Sequence, residues 1–158
     1  IKDKRFRPKN WLELTVAFDA DNAGVAGADN NLIVDSLEFK FYLVLNVRNK
    51  EGKLTMLTAN ETFINIVKLE EAHALMYVSP AMLVKLLQKH SFTAADVNAY
   101  GVEIYNDGAS VGRYISTGPT PFWDTPDKFV VVEGALLPKV KTPFASLWGD
   151  YDVESKMQ

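Results

Sequence analysis

The sequence predicts a mainly β fold: an immunoglobulin-like antiparallel β-sandwich with one short helix. Three observations predict it. Apolar residues recur at every second position in successive segments, the period that puts them on one face of a strand. Only one stretch, 79–89, carries helix signals. Clusters of Gly, Asn, Asp and Pro interrupt the periodic segments at short intervals, as in sandwiches and barrels. A partly open oligonucleotide-binding-type barrel is the alternative. The 158 residues suffice for one domain, read as 11–150. A basic segment, 1–10, precedes it and a polar tail, 151–158, follows.

Trp11–Asp19 alternates, with Leu12, Leu14, Val16 and Phe18 on one face and Glu13, Thr15 and Asp19 on the other. It is the first strand. Residues 21–31 are rich in Gly, Ala and Asn and read as a loop. Its acids, with Asp19, lack the spacing and the closing glutamate of a calcium loop, so no metal is expected. Val34–Val47 is the strongest signal. Leu37, Phe39, Phe41, Leu43, Leu45 and Val47 fall on every second residue, unbroken by Gly or Pro. Leu37, Phe39, Phe41, Leu43 and Leu45 are therefore the expected core. Tyr42 and Val44 on the opposite face imply that this face is covered too, as in a central strand.

Asn49–Lys53 is a tight turn at Gly52. Leu54–Ala59 and Thr62–Val67 read as one bent strand or two, with a corner at Asn60. Ala72–Val78 places Ala72, Ala74, Met76 and Val78 on one face. Ser79 then supplies an N-cap and Pro80 suits the first helical position. Met82, Leu83, Leu86 and Leu87 form one apolar stripe through Lys89. Val97–Tyr105 and Ala109–Ser116 make a hairpin about Asn106-Asp107-Gly108, with Tyr100, Val102 and Ile104 facing inward. The prolines of 117–127 exclude a strand interior. Lys128–Leu137 reads as a late, buried strand that Pro138 stops.

Composition excludes several functions. The net charge of −3 is too small to imply a nucleic-acid partner. No stretch approaches the ~18 apolar residues of a membrane span. The absence of cysteine removes disulfides, thiol catalysis and Cys-based zinc sites. His73 and His90 are the two histidines, and neither has a partner at ligand spacing. No nucleophile turn or phosphate-cradling glycine loop occurs, since Gly24 and Gly27 precede a strand. No enzyme, cofactor or metal is expected. Lys2, Lys4, Arg5, Arg7 and Lys9 read as a solvated terminus that can lie near anionic lipid if an anchor precedes it. Ile1 in place of Met fits a processed start or a cloning boundary.

Two functions fit such a sandwich. One is an interaction or structural module of a bacterial envelope assembly, monomeric in isolation, which captures partners through sheet edges and loops. The other is a carbohydrate-binding module for mucin-type glycans, with Phe122, Trp123, Trp148 and Tyr151 stacking on sugar rings. Those aromatics suit better the role of plugs that close the ends of the sandwich, because each set follows a Pro and sits beside a buried strand. Exposed coplanar rings would indicate sugar binding and buried rings would indicate plugs.

The segments VDSLEFKFYLVLN, HALMYVSPAMLVKLL and TPFASLWGDYD, in that order, resemble a family of verrucomicrobial envelope proteins encoded among the type IV pilus genes of Akkermansia muciniphila. The resemblance implies an immunoglobulin-like fold similar to archaeal pilin domains. It also implies an export signal ahead of Ile1 and a periplasmic or surface role in pilus formation, beside other envelope or pilus proteins. It carries no catalytic residues. The long apolar N-terminal helix with which a pilin packs in its filament is absent from this sequence.

Overall fold

The computed structural model describes residues 10–20, 32–68 and 71–145, and the backbone of 154–155. Among these residues it is a mainly β, two-sheet sandwich with one α-helix and no closed barrel. The strands are β1 (Leu12–Phe18), β2 (Ile33–Arg48), β3 (Leu54–Val67), β4 (Ala72–Val78), β5 (Val97–Asn106), β6 (Ala109–Ile115), β7 (Phe129–Glu133), β8 (Leu137–Pro138) and β9 (Glu154–Ser155). The larger sheet runs β6-β5-β2-β3-β7, with β9 also on β3. The smaller sheet runs β1-β4-β8.

Alternation explains the core. Leu37, Phe39, Phe41, Leu43 and Leu45 all lie on the face of β2 that meets the smaller sheet, and each is at most 3% exposed. Phe39 is ringed by Phe18, Phe41 and Phe63 at centroid distances of 4.9, 5.8 and 5.0 Å. Ala72, Ala74, Met76 and Val78 come down from β4 to meet them. The other face of β2 is covered as well: Val44 is buried with Met56, Ala99 and Trp123. The helix α1 (Pro80–Leu87) seats Leu83 and Leu87 in the core. Its Ser79 hydroxyl accepts from the Met82 N–H at 3.1 Å. Ser79→Ala removes that acceptor and is expected to cost about 1 kcal/mol, read as a lower urea midpoint at unchanged slope. The helix stops two residues before Lys89 because Gln88 turns left-handed, φ 57°.

Two expectations are corrected. β3 runs through Asn60 without a corner, pairing Asn60 with Lys40 and Glu61 with Phe39. Its positive φ lies at Asn65 instead, and the register shift on β2 lies between Leu45 and Arg48. The segment 128–137 is not one strand. β7 pairs parallel to β3, the one parallel pair among the described strands. At Gly134, φ 83°, the chain leaves for the other sheet, where β8 pairs Leu137 with Tyr77 and Pro138 with Met76. Pro138 is thus inside β8, at a sheet edge where its missing N–H is tolerated. Within the polar tail, Glu154 and Ser155 pair with Ile64 and Phe63. Tyr100 lies on the inward face of β5, opposite Leu43, yet is 37% exposed.

Lys89 and Asp96 tie the end of the helix segment to the start of β5. The Lys89 ammonium donates to Asp96 Oδ1, and the Thr93 N–H donates to Oδ2 at 2.9 Å. Together, the lysine contact foremost, they hold the Asp96 carboxyl below its ordinary 3.8. A carboxyl lowered in the folded state stabilises above its unfolded value, and that contribution fades as pH falls through the folded one. Asp96→Asn is therefore expected to be less stable than the parent at pH 7. The gap should close in acid below about pH 4, as thermal melts across pH would show.

Candidate functional site

Two surface features bring together the residues a function could use. The first is the outer face of the larger sheet. Trp123 sits in a 3-10 turn, Phe122–Asp124, that the prolines of the preceding segment deliver onto that face. Its ring stacks on Tyr42 at 4.6 Å and 3°, and its Nε1 donates to Glu103 Oε1 at 3.1 Å. Trp123 is 7% exposed. Burial pushes the Glu103 carboxyl up, but hydrogen bonds from Ser110, Trp123 and Tyr105, with the charge of Arg113, outweigh it and hold the group low. Phe122 is half-buried, edge-on to both Trp123 and Phe129. These rings cover the sheet, which leaves no free ring face at Trp123 for a sugar. Trp148 and Tyr151 lie outside the described residues. Phe144, from the second Pro-aromatic segment, stacks on Tyr77 at 5.2 Å, against Trp11.

The second feature is an open side of the sandwich. β1 is the outermost strand of the smaller sheet, and among the described strands only β4 pairs with it. Its alternation leaves backbone N–H and C=O groups pointing outward along one edge. Beside that edge runs a groove in two adjoining parts of about 590 and 220 Å3, which share Leu14, Thr15 and Tyr100. One wall is β1; the other is the inward face of β5 and β6, with Tyr100, Val102 and Tyr114. Phe92 and Leu83 line the end near the helix. Tyr114 pairs across from Val102, so it also points inward, yet is 54% exposed. The two tyrosines stack at 6.0 Å. The hydrogen bond with Tyr114 is the main cause that raises the Tyr100 phenol above its ordinary value.

Sequence reading found Tyr100 as inward-facing but gave Tyr114 no role. The pairing of Tyr114 with Val102 follows a register shift between Ile104 and Tyr105; an unshifted hairpin about the turn would set Tyr114 across from Gly101, on the other face, so the sequence carried no signal for it. That the smaller sheet ends short of both rings is a tertiary fact that no local pattern carries. Among the described residues no three His, Asp or Glu side chains converge as metal ligands. His73 lies 4.0 Å from Glu71, and no described helix is long and apolar enough to cross a membrane.

No curated protein matches the sequence. The fold is similar to that of a crystal structure from Akkermansia muciniphila, with a TM-score of 0.77 and 24% identity over 96% of this chain and 80% of that one. A protein-family model matches residues 1–158, the whole of the sequence, and the chain belongs to that family.

Proposed function

We propose that the protein is a non-enzymatic interaction module of a bacterial envelope, exported to the periplasm or cell surface and associated with type IV pilus formation. The observation that carries this reading is the β1 edge: a two-sheet body whose smaller sheet ends at a strand that pairs on one side alone among the described strands, beside a groove. Such an edge supplies main-chain hydrogen bonds for affinity and side-chain pockets for selection. The described charged groups support it by their engagement in the fold. Asp96 is held by Lys89 and Thr93, and Glu103 by Ser110 and Trp123. An active site would instead bring such groups together around a cleft, and neither lines the groove beside β1. The resemblance of three segments to envelope proteins of a pilus gene cluster supplies the cellular setting. Affinity capture from an envelope extract with the full natural protein tests the reading. Pilus or other envelope components should be recovered, and recovery of cytoplasmic proteins alone would overturn it.

A further inference from the structure

We infer that the groove beside β1 receives one extended peptide segment, with apolar side chains alternating with basic ones, which adds to the smaller sheet as a new edge strand. The inference rests on the module reading above and names its binding surface and the chemistry of the partner.

The argument begins with the unequal sheets. Val102, Tyr100 and Tyr114 all point toward the interior of the sandwich. Leu14 to Ala17 of β1 line one side of the groove, and Tyr100, Val102 and Tyr114 line the other. Among the described residues no strand of the smaller sheet pairs beyond β1, and Tyr114 is 54% exposed while Val102 is 1% exposed. One strand beside β1, at the usual spacing of about 4.8 Å, would lie over Tyr114 and complete the layer. Its inward side chains would then contact the stacked tyrosines, and its backbone would pair with β1.

The same set-back selects the occupant. Two copies joined β1 to β1 would each bring a projecting β6 to the same space, and the two would collide. A single extended segment has no such overhang. Charge selects further. Among the described residues, Glu13 is the one charged side chain lining either part of the groove. It sits on the solvent face of β1, where its carboxylate accepts from Thr15 and Tyr77. Asp19 follows just past the end of β1 and adds a second negative charge. An added strand with Lys or Arg on its solvent face would meet these acids across the ladder, where opposite charges are favourable.

The test uses the full chain and a labelled probe as long as β1, seven residues, of alternating Lys and Val, capped at both ends. A matched probe has Glu in place of Lys. Fluorescence anisotropy should show binding of the Lys probe, weakened by salt, and weaker binding of the Glu probe. Hydrogen exchange should show new protection of amides in 12–18. Tyr114→Ala, at an exposed position, should keep the parent melting temperature and lose about tenfold in affinity. Glu13→Gln should reduce the salt sensitivity. Absence of binding, equal binding of the Glu probe, or protection confined to β7 would overturn the inference. So would a concentration-dependent dimer that Tyr114→Ala dissolves, because a second copy would then be the occupant. If any of these occurs while the parent still captures envelope proteins, the groove assignment falls and the module reading stands.

Discussion

Phe39→Asp is expected to abolish the cooperative thermal transition. Phe39 is fully buried, and three phenylalanine rings surround it within 6 Å. Removing such a ring alone costs about 3–5 kcal/mol. An unpaired carboxylate in that space adds several kcal/mol more, whether it ionises or takes up a proton. Total stability of a domain this size is about 5–15 kcal/mol, so the loss reaches the margin. Circular dichroism should show a weak, sloping melt. Phe39→Leu, which keeps the site apolar, should still melt cooperatively with a loss of about 1–3 kcal/mol. A cooperative melt of Phe39→Asp near the parent temperature would mean that Phe39 does not face the core.

That result bears on what the sequence makes legible. The alternation through 34–47 shows which side chains share a face, and β2 obeys it at every position from Leu37 to Leu45. The helix start was equally legible, because Ser79 and Pro80 act through the backbone beside them. What alternation cannot express is what lies above a face. Tyr100 and Val102 share a face and a strand, yet one is 37% and the other 1% exposed, a difference that alternation along β5 does not carry. The apolar run from Phe129 to Leu137 looked continuous, but Gly134 takes a positive φ and sends the chain between sheets. Whether β7 would pair parallel to β3 depended on where the chain returned after the proline-rich segment. A corner at Asn60 was drawn from a turn-forming residue type, and strand pairing on β2 overrode that preference. Of the sugar-stacking candidates, Phe122 and Trp123 were found as residues. Their role as covers of the sheet required the position of Tyr42 across from Gly101.

Gly101→Val is expected to lift Trp123 off the sheet and to cost about 2–4 kcal/mol, from overpacking together with the lost ring stack. The reason is space, since Gly101 carries an ordinary negative φ. A Cβ at 101 would press into the Trp123 ring edge and stand 2.8 Å from the Tyr114 carbonyl oxygen. The indole is the movable partner, because the carbonyl belongs to the paired strand β6. Three linked changes follow from its displacement. The Nε1 bond to Glu103 breaks, tryptophan emission moves to the red, and the Tyr42 ring becomes wet. The Tyr42 phenol is pushed up to about 12, first by burial and then by the charges of Tyr105, Glu103 and Asp124. Once exposed, it should titrate nearer 10, as absorbance during an alkaline titration would show. A phenol raised in the folded state stabilises below its unfolded value and loses that contribution as pH climbs through the folded one. The stability gap between parent and Gly101→Val should therefore narrow above about pH 10. In a Trp123→Ala background the indole is no longer in the way, so the two substitutions together should cost less than their sum. Strict additivity, with emission of the single variant unchanged, would show that Trp123 does not rest on Gly101.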